Sequence, residues 1–211
     1  MDGVLTDTVE LHYQSFKRLA IEENVSFNRE INERFRGLSL ALLFQAHVLS
    51  PSELNRLMEK KNKYFLELAV SMTAKDLLPG VKDLLQLLTE RGFKIALASS
   101  SKNTRLIIER LAIGDYFDSI SDGYSVKRAK PAPDLFLHAA ATLGIKPEAC
   151  IVVEDAEAGV EAAKAAEMTV IGIGPKTRVG NADFIFDSVA DINLDIVLAK
   201  VNANKQRETL T

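Results

Sequence analysis

The hydrophobic pattern of this chain changes character near residue 78. Downstream, short and nearly continuous apolar runs occur at residues 93–98, 150–153, 169–173 and 184–186. Between them, apolar residues fall at helical spacing over roughly 81–91, 103–111, 134–143 and 156–166. Apolar strands that alternate with helices predict a parallel sheet covered on both faces. Upstream, over about 10–75, Leu54, Leu57 and Met58, then Tyr64, Phe65 and Leu68, recur at helical spacing with no strand-like alternation. The pattern therefore predicts an α/β body from residues 1–8 and 78–211, with an all-helical insert over 9–77. No internal repeat or low-complexity tract interrupts it.

Composition narrows the class. At 211 residues the chain is long enough to bury a core without disulfides or a structural metal. Its single cysteine, Cys150, cannot form an intrachain bridge; at the start of an apolar run it reads as a small buried hydrophobe, and the count fits a reducing cytosol. A net charge of −3 offers no basic surface for nucleic acid and no polybasic membrane patch. No apolar run approaches bilayer length, and the first residues carry acids where a signal peptide carries bases. The expectation is a soluble, cytoplasmic, monomeric protein with a small-molecule partner, without nucleic acid or membrane.

In open parallel sheets, ligands bind beyond the carboxyl ends of the strands. Ser99, Ser100, Ser101, Lys102 and Asn103 follow the run at 93–98, and Glu154 and Asp155 follow the run at 150–153. Between these lies Lys130-Pro131-Ala132-Pro133-Asp134, and the chain opens Asp2-Gly3-Val4-Leu5-Thr6-Asp7-Thr8. Taken singly, each has an ordinary structural role: a serine after a strand caps a helix, acids at a helix start complement its dipole, and a lysine is solvated. Together they form the set that phosphoryl transfer requires. Carboxylates hold Mg²⁺, a cation and hydroxyls take the moving phosphoryl oxygens, and a positioned acid/base moves the proton. The Gly172-Ile173-Gly174 triplet is followed by Pro175 and no clear helix, which argues against a dinucleotide loop.

The order of these four segments resembles the haloacid dehalogenase superfamily, in its branch with a helical cap inserted after the first motif. Finer features are similar to the β-phosphoglucomutase family: Thr8 and His12, Asn32-Glu33, Arg36-Gly37-Leu38-Ser39, Lys61-Asn62, and Ser99 through Asn103. The resemblance implies interconversion of β-glucose 1-phosphate and glucose 6-phosphate through a bisphosphate. It places Ser99, Ser100 and Lys130 at the reacting phosphate, and Ser101, Lys102 and Asn103 at a distal one, with Arg36 and Gly37 on the cap loop. It gives Mg²⁺ to Glu154, Asp155 and the Asp2 carbonyl, and proton transfer to the Asp2 side chain. Thr8 supports that chemistry, and His12 with Lys61 links the cap to it. It also implies a cis Lys130–Pro131 bond.

Two departures stand out. Leu40 occupies the place of an arginine that grips the distal phosphate in the family, and a leucine cannot replace that fork. The family's first motif is Asp-x-Asp, and its first aspartate attacks phosphorus; here Met1 takes the middle position. The expectation is therefore that Met1 is an internal methionine, that the nucleophile and a central apolar strand lie ahead of it, that the sheet has a gap, and that the chain as written is inactive and of poor stability. The alternatives are a small sugar-phosphate phosphatase and a catalytically dead phosphosugar-binding protein.

Overall fold

A computed structural model describes residues 1–34 and 50–208 of the chain. The described residues divide into two compact units, Met1–Asp7 with Ala74–Thr211, and Thr8–Thr73.

The helical unit contains α1 (Val9–Glu22), α2 (Arg29–Arg34) and α3 (Pro51–Ala69). The sequence Ser50-Pro51-Ser52-Glu53 starts α3 with a reciprocal cap. Ser50 Oγ accepts the Glu53 N–H at 3.3 Å, and Glu53 Oε2 accepts the Ser50 N–H at 3.0 Å, with proline at the first helical position. α1 packs on α3 through Leu19, Leu57 and Tyr64, flanked by Phe16, Val25 and Leu54. Around that seam lie ion pairs such as Arg18–Glu67 (2.6 Å) and Arg56–Glu23 (3.1 Å). Both arginines are about half exposed, so the pairs contribute little beside the apolar contact.

In the α/β unit the elements run α4 (Val81–Glu90), β1 (Ala96–Ala98), α5 (Thr104–Arg110), β2 (Ser119–Ser121), α6 (Asp134–Leu143), β3 (Ile151–Glu154), α7 (Glu157–Ala165), β4 (Thr169–Ile173), α8 (Lys176–Val179), β5 (Phe184–Phe186) and α9 (Leu194–Glu208). The amino-terminal segment joins this unit through Thr6. Its Oγ1 donates to the Asp76 carbonyl at 2.7 Å, its backbone bridges Leu77, and Leu78 N–H donates to Leu5 O at 2.9 Å. That stitching places residues 74–77 with the α/β unit. Gly80 opens α4 at φ +79°, and a Cβ there would lie 2.4 Å from Ala190 Cα, so only glycine fits. Gly172 is a packing glycine: an added Cβ would meet Val179 on α8 at 2.7 Å.

All strands pair parallel, but they form two sheets. β1 pairs with β2 in register Leu97↔Ile120, and β3–β4–β5 pair separately in register Val152↔Val170 and Gly172↔Ile185. β1 and β3 are thus each paired along one edge. Between those edges lies an apolar cavity of about 420 Å³, lined by Leu97 and Val153, by Leu84 and Leu88 of α4, by Ala139 and Leu143 of α6, and by Leu198 of α9. Phe136, Ala140, Val152, Val160 and Val170 pack together as the core around β3 and β4. Among the described residues, no helix is long and apolar enough to cross a membrane.

The cavity makes a volume test direct. Ala139→Leu projects new carbons into it and is expected to stabilise by about 1 kcal/mol, as cavity filling commonly does. Thermal melts should shift up by roughly 2–4 °C for a chain of this size. A drop in Tm would mean that the space is already filled, because overpacking a full core destabilises.

Candidate active site

β3 ends in the site. Its last residue, Glu154, is 7% exposed, and its Oε1 is ion-paired with the Lys130 ammonium. Its Oε2 accepts the backbone N–H groups of Asp155 (3.1 Å) and Ala156 (3.4 Å). Lys130 also lies over the Phe136 ring, 4.5 Å from its centroid, and the Lys130–Pro131 bond is cis. Two glycines make room for the acids. A Cβ on Gly159 would fall within 2.4 Å of both Glu154 oxygens, and one on Gly3, at φ +68°, would fall 2.1 Å from Asp155 Oδ2. Asp2 therefore stands next to the Asp155 carboxylate. Burial, and then the charge of Glu154, raise the Asp155 carboxyl above its usual range, with Asp2 adding to the effect and Arg178 opposing it.

The loop after β1 is a second group in the same unit. Ser99 is buried, its N–H donates to Ser121 O at 2.9 Å, and its Oγ accepts the Ser101 N–H at 3.2 Å. Ser101 Oγ accepts the Asn103 N–H at 3.1 Å, where Asn103 opens α5. Ser100 and Lys102 are exposed.

In the helical unit, Thr8 opens α1 and is buried. His12 stacks on Phe65 with ring centroids 4.4 Å apart, and Lys61 Nζ lies 2.6 Å from His12 Nδ1. An ammonium can only donate, so Nδ1 accepts and the ring proton sits on Nε2. Burial, with the Lys61 charge adding, lowers the His12 pKa to about 3, and burial lowers Lys61 to about 8. Arg36, Gly37 and Leu40 lie outside the described residues.

Among the described residues, no three histidine, cysteine or acidic side chains cluster to hold a metal by themselves. The donor set nonetheless suits Mg²⁺, which takes hard oxygens, binds through one or two carboxylates and keeps several waters. Two neighbouring carboxylates, one with its pKa raised by burial and its neighbour, are what a divalent cation would neutralise. Arg178 is a site residue with no sequence signal. Gly3 stands in the opening segment and Gly159 four residues after Asp155, but the need for a bare Cα there shows only in three dimensions.

Fold and site together define a phosphoryl-transfer type of α/β protein, and the chain belongs to the haloacid dehalogenase-like hydrolase family, whose model it matches over residues 1–173. It is 36% identical to the β-phosphoglucomutase of Bacillus subtilis (strain 168), over 100% of this chain and 96% of that protein. The phosphorylated carbohydrates phosphatase of Thermotoga maritima is 33% identical, over 79% of this chain and 78% of its own. Among solved structures, β-phosphoglucomutase from Clostridium difficile superposes with a TM-score of 0.88 at 33% identity, covering 96% of this chain and 95% of that one.

Two outcomes follow. Gly159→Ala should push the Glu154 carboxylate off Lys130, opening a buried ion pair at a cost in stability. Calorimetric Mg²⁺ affinity should fall at least about tenfold, the scale seen when a metal's supporting groups are lost, while circular dichroism keeps the wild-type fold and Tm drops. For Lys61, the folded pKa of about 8 lies below the ordinary 10.5. Between those values the unfolded chain holds the extra proton, so stability rises with pH. Melts between pH 8 and 10.5 should therefore show an upward slope in the wild type that Lys61→Met lacks.

Proposed function

We propose that the chain carries the machinery of a Mg²⁺-dependent phosphomutase that interconverts β-glucose 1-phosphate and glucose 6-phosphate. The observation that carries this reading is the gathering of Asp2, Glu154, Asp155 and Lys130 at the carboxyl end of β3. Family membership and the 36% identity with a β-phosphoglucomutase support it.

In this reading Lys130 and the hydroxyls of Ser99 and Ser100 take the equatorial oxygens of the phosphoryl group being transferred. Such transfer depends on positioning and charge stabilisation more than on covalent work by the protein. Lys130 reaches that position because Glu154 and the face of Phe136 fix its ammonium. In a form with an aspartate two positions before Asp2, that carboxylate takes the phosphoryl group while the departing sugar oxygen receives a proton from Asp2. In the opposite direction the sugar hydroxyl gives its proton to Asp2, its oxygen attacks phosphorus, and the bond to the aspartyl carboxylate breaks. Thr8, His12 and Lys61 support that proton transfer, with His12 held neutral and Lys61 able to lose its proton near neutral pH. Ser101, Lys102 and Asn103 hold the second phosphate, which a mutase must grip while the first moves. Bound Mg²⁺, held by Glu154, Asp155 and the Asp2 carbonyl, would neutralise charge on the phosphoryl oxygens.

A phosphatase acting on a small sugar phosphate is the second reading. It is favoured by Leu40 where the family has an arginine and by the 33% identity with a phosphorylated carbohydrates phosphatase. The two differ in product. In a form extended at its amino end to restore an aspartate two positions before Asp2, Mg²⁺, β-glucose 1-phosphate and a trace of glucose 1,6-bisphosphate should give glucose 6-phosphate, followed by phosphorus NMR. Release of inorganic phosphate without isomerisation would establish the phosphatase instead. Lys130→Ala should lower kcat by about 10²–10³-fold, the usual loss when a group stabilising the transition-state charge is removed.

A further inference from the structure

The loop after β2 holds an aromatic ring that neither fold nor core explains. Tyr124 is 73% exposed, yet its backbone is firmly built. Buried Asp122 accepts the Tyr124 N–H on Oδ1 at 3.0 Å, and the Asp122 N–H donates to Ser125 Oγ at 2.9 Å. Gly123 N–H donates to Ser101 O at 3.1 Å, which ties this loop to the one after β1. The two backbones meet so closely that a Cβ on Gly123 would fall 2.5 Å from the Ser100 carbonyl. The result sets the Tyr124 ring beside Lys102, whose Nζ lies 5.3 Å from the ring centroid. Among the described residues Lys102 has no carboxylate partner, and the hydrogen-bonding side chains of Ser101 and Asn103 flank it.

An exposed tyrosine fixed by a turn, next to an unneutralised ammonium and neutral hydrogen-bonding groups, matches one kind of ligand. It has an anionic end for the lysine and a ring whose C–H face can lie on an aromatic surface, as a phosphorylated sugar does. We propose that Tyr124 is a substrate-binding residue: the sugar ring of the phosphosugar rests on its face while Lys102 takes the phosphate. This deepens the phosphosugar reading above and rests on its distal phosphate position. It adds a contact to the sugar itself.

Calorimetric titration of the 211-residue chain with glucose 6-phosphate and, separately, with inorganic phosphate tests both levels. Tyr124→Ala should weaken glucose 6-phosphate about fivefold, the scale of one aromatic contact at an exposed position, and leave inorganic phosphate within about twofold. Tyr124→Phe should bind both as wild type does, and Lys102→Ala should weaken both. If Tyr124→Ala binds glucose 6-phosphate normally while Lys102→Ala weakens both ligands, the ring is no sugar contact and the distal phosphate reading stands alone. An equal loss for both ligands in Tyr124→Ala would also overturn the sugar contact, because the ring would then act only through Lys102. If Lys102→Ala changes neither ligand, or the wild type binds neither, the distal phosphate reading fails and this proposal fails with it.

Discussion

The pairing of Lys130 with Glu154 is the interaction on which the site depends. Glu154 closes β3 almost wholly out of water, and an isolated carboxylate there would be strongly disfavoured. Its two oxygens are instead taken by a lysine from one loop and by two backbone N–H groups at the start of the next helix. Breaking a buried pair of this kind by removing one partner destabilises by about 3–5 kcal/mol, because the other charge is left uncompensated. The same pair fixes where the lysine ammonium sits, so stability and the proposed phosphate chemistry draw on one contact. Gly159 is the condition for it, since any side chain there would occupy the space of the carboxylate.

The helical unit uses burial in the opposite sense. Lys61 sits against His12 and two aromatic rings, with Nζ 4.7 Å from the Phe16 centroid and 5.0 Å from that of Phe65. Ring faces attract a cation but do not neutralise it. Desolvation therefore wins, and both nitrogen groups hold their protons less tightly than in water. In the α/β unit a full charge is stabilised by an opposite charge; in the helical unit charge is discouraged.

Much of the fold was legible because parallel strands covered on both faces read as continuous apolar runs. The runs at 150–153 and 169–173 became β3 and β4 nearly residue for residue, and the helical stretches became α4, α5, α6 and α7. β2 was not legible: Ser119-Ile120-Ser121 has a single apolar residue, and it is held by pairing with Leu97 and by the Ser121 hydroxyl sharing a hydrogen bond with His138 at 2.8 Å. α9 was passed over, although Leu194, Val197, Leu198 and Val201 stand at helical spacing that a longer scan would have caught. The acids and the lysine of the site were visible as a conjunction after strand ends, and the resemblance gave them roles. What no pattern could show was contact: the clearance at Gly3 and Gly159, the charge of Arg178 beside Asp155, or the turn that holds Tyr124.

The interrupted sheet has a consequence for how the α/β unit moves. Among the described residues β4 alone has a strand on each side, whereas β1 and β3 each present an edge to the cavity between them. A backbone amide exchanges its hydrogen with solvent only when its hydrogen bond opens, and opening proceeds through contiguous cooperative pieces. Two sheets with no ladder between them are two such pieces, joined by helices and loops. The β1–β2 pair, three residues to a strand, is the smaller, and it carries the loop that places Ser99 through Asn103. The acids at the end of β3 ride on the larger sheet. The loops that carry Ser99 through Asn103 and the carboxylate cluster are thus built on separate sheets.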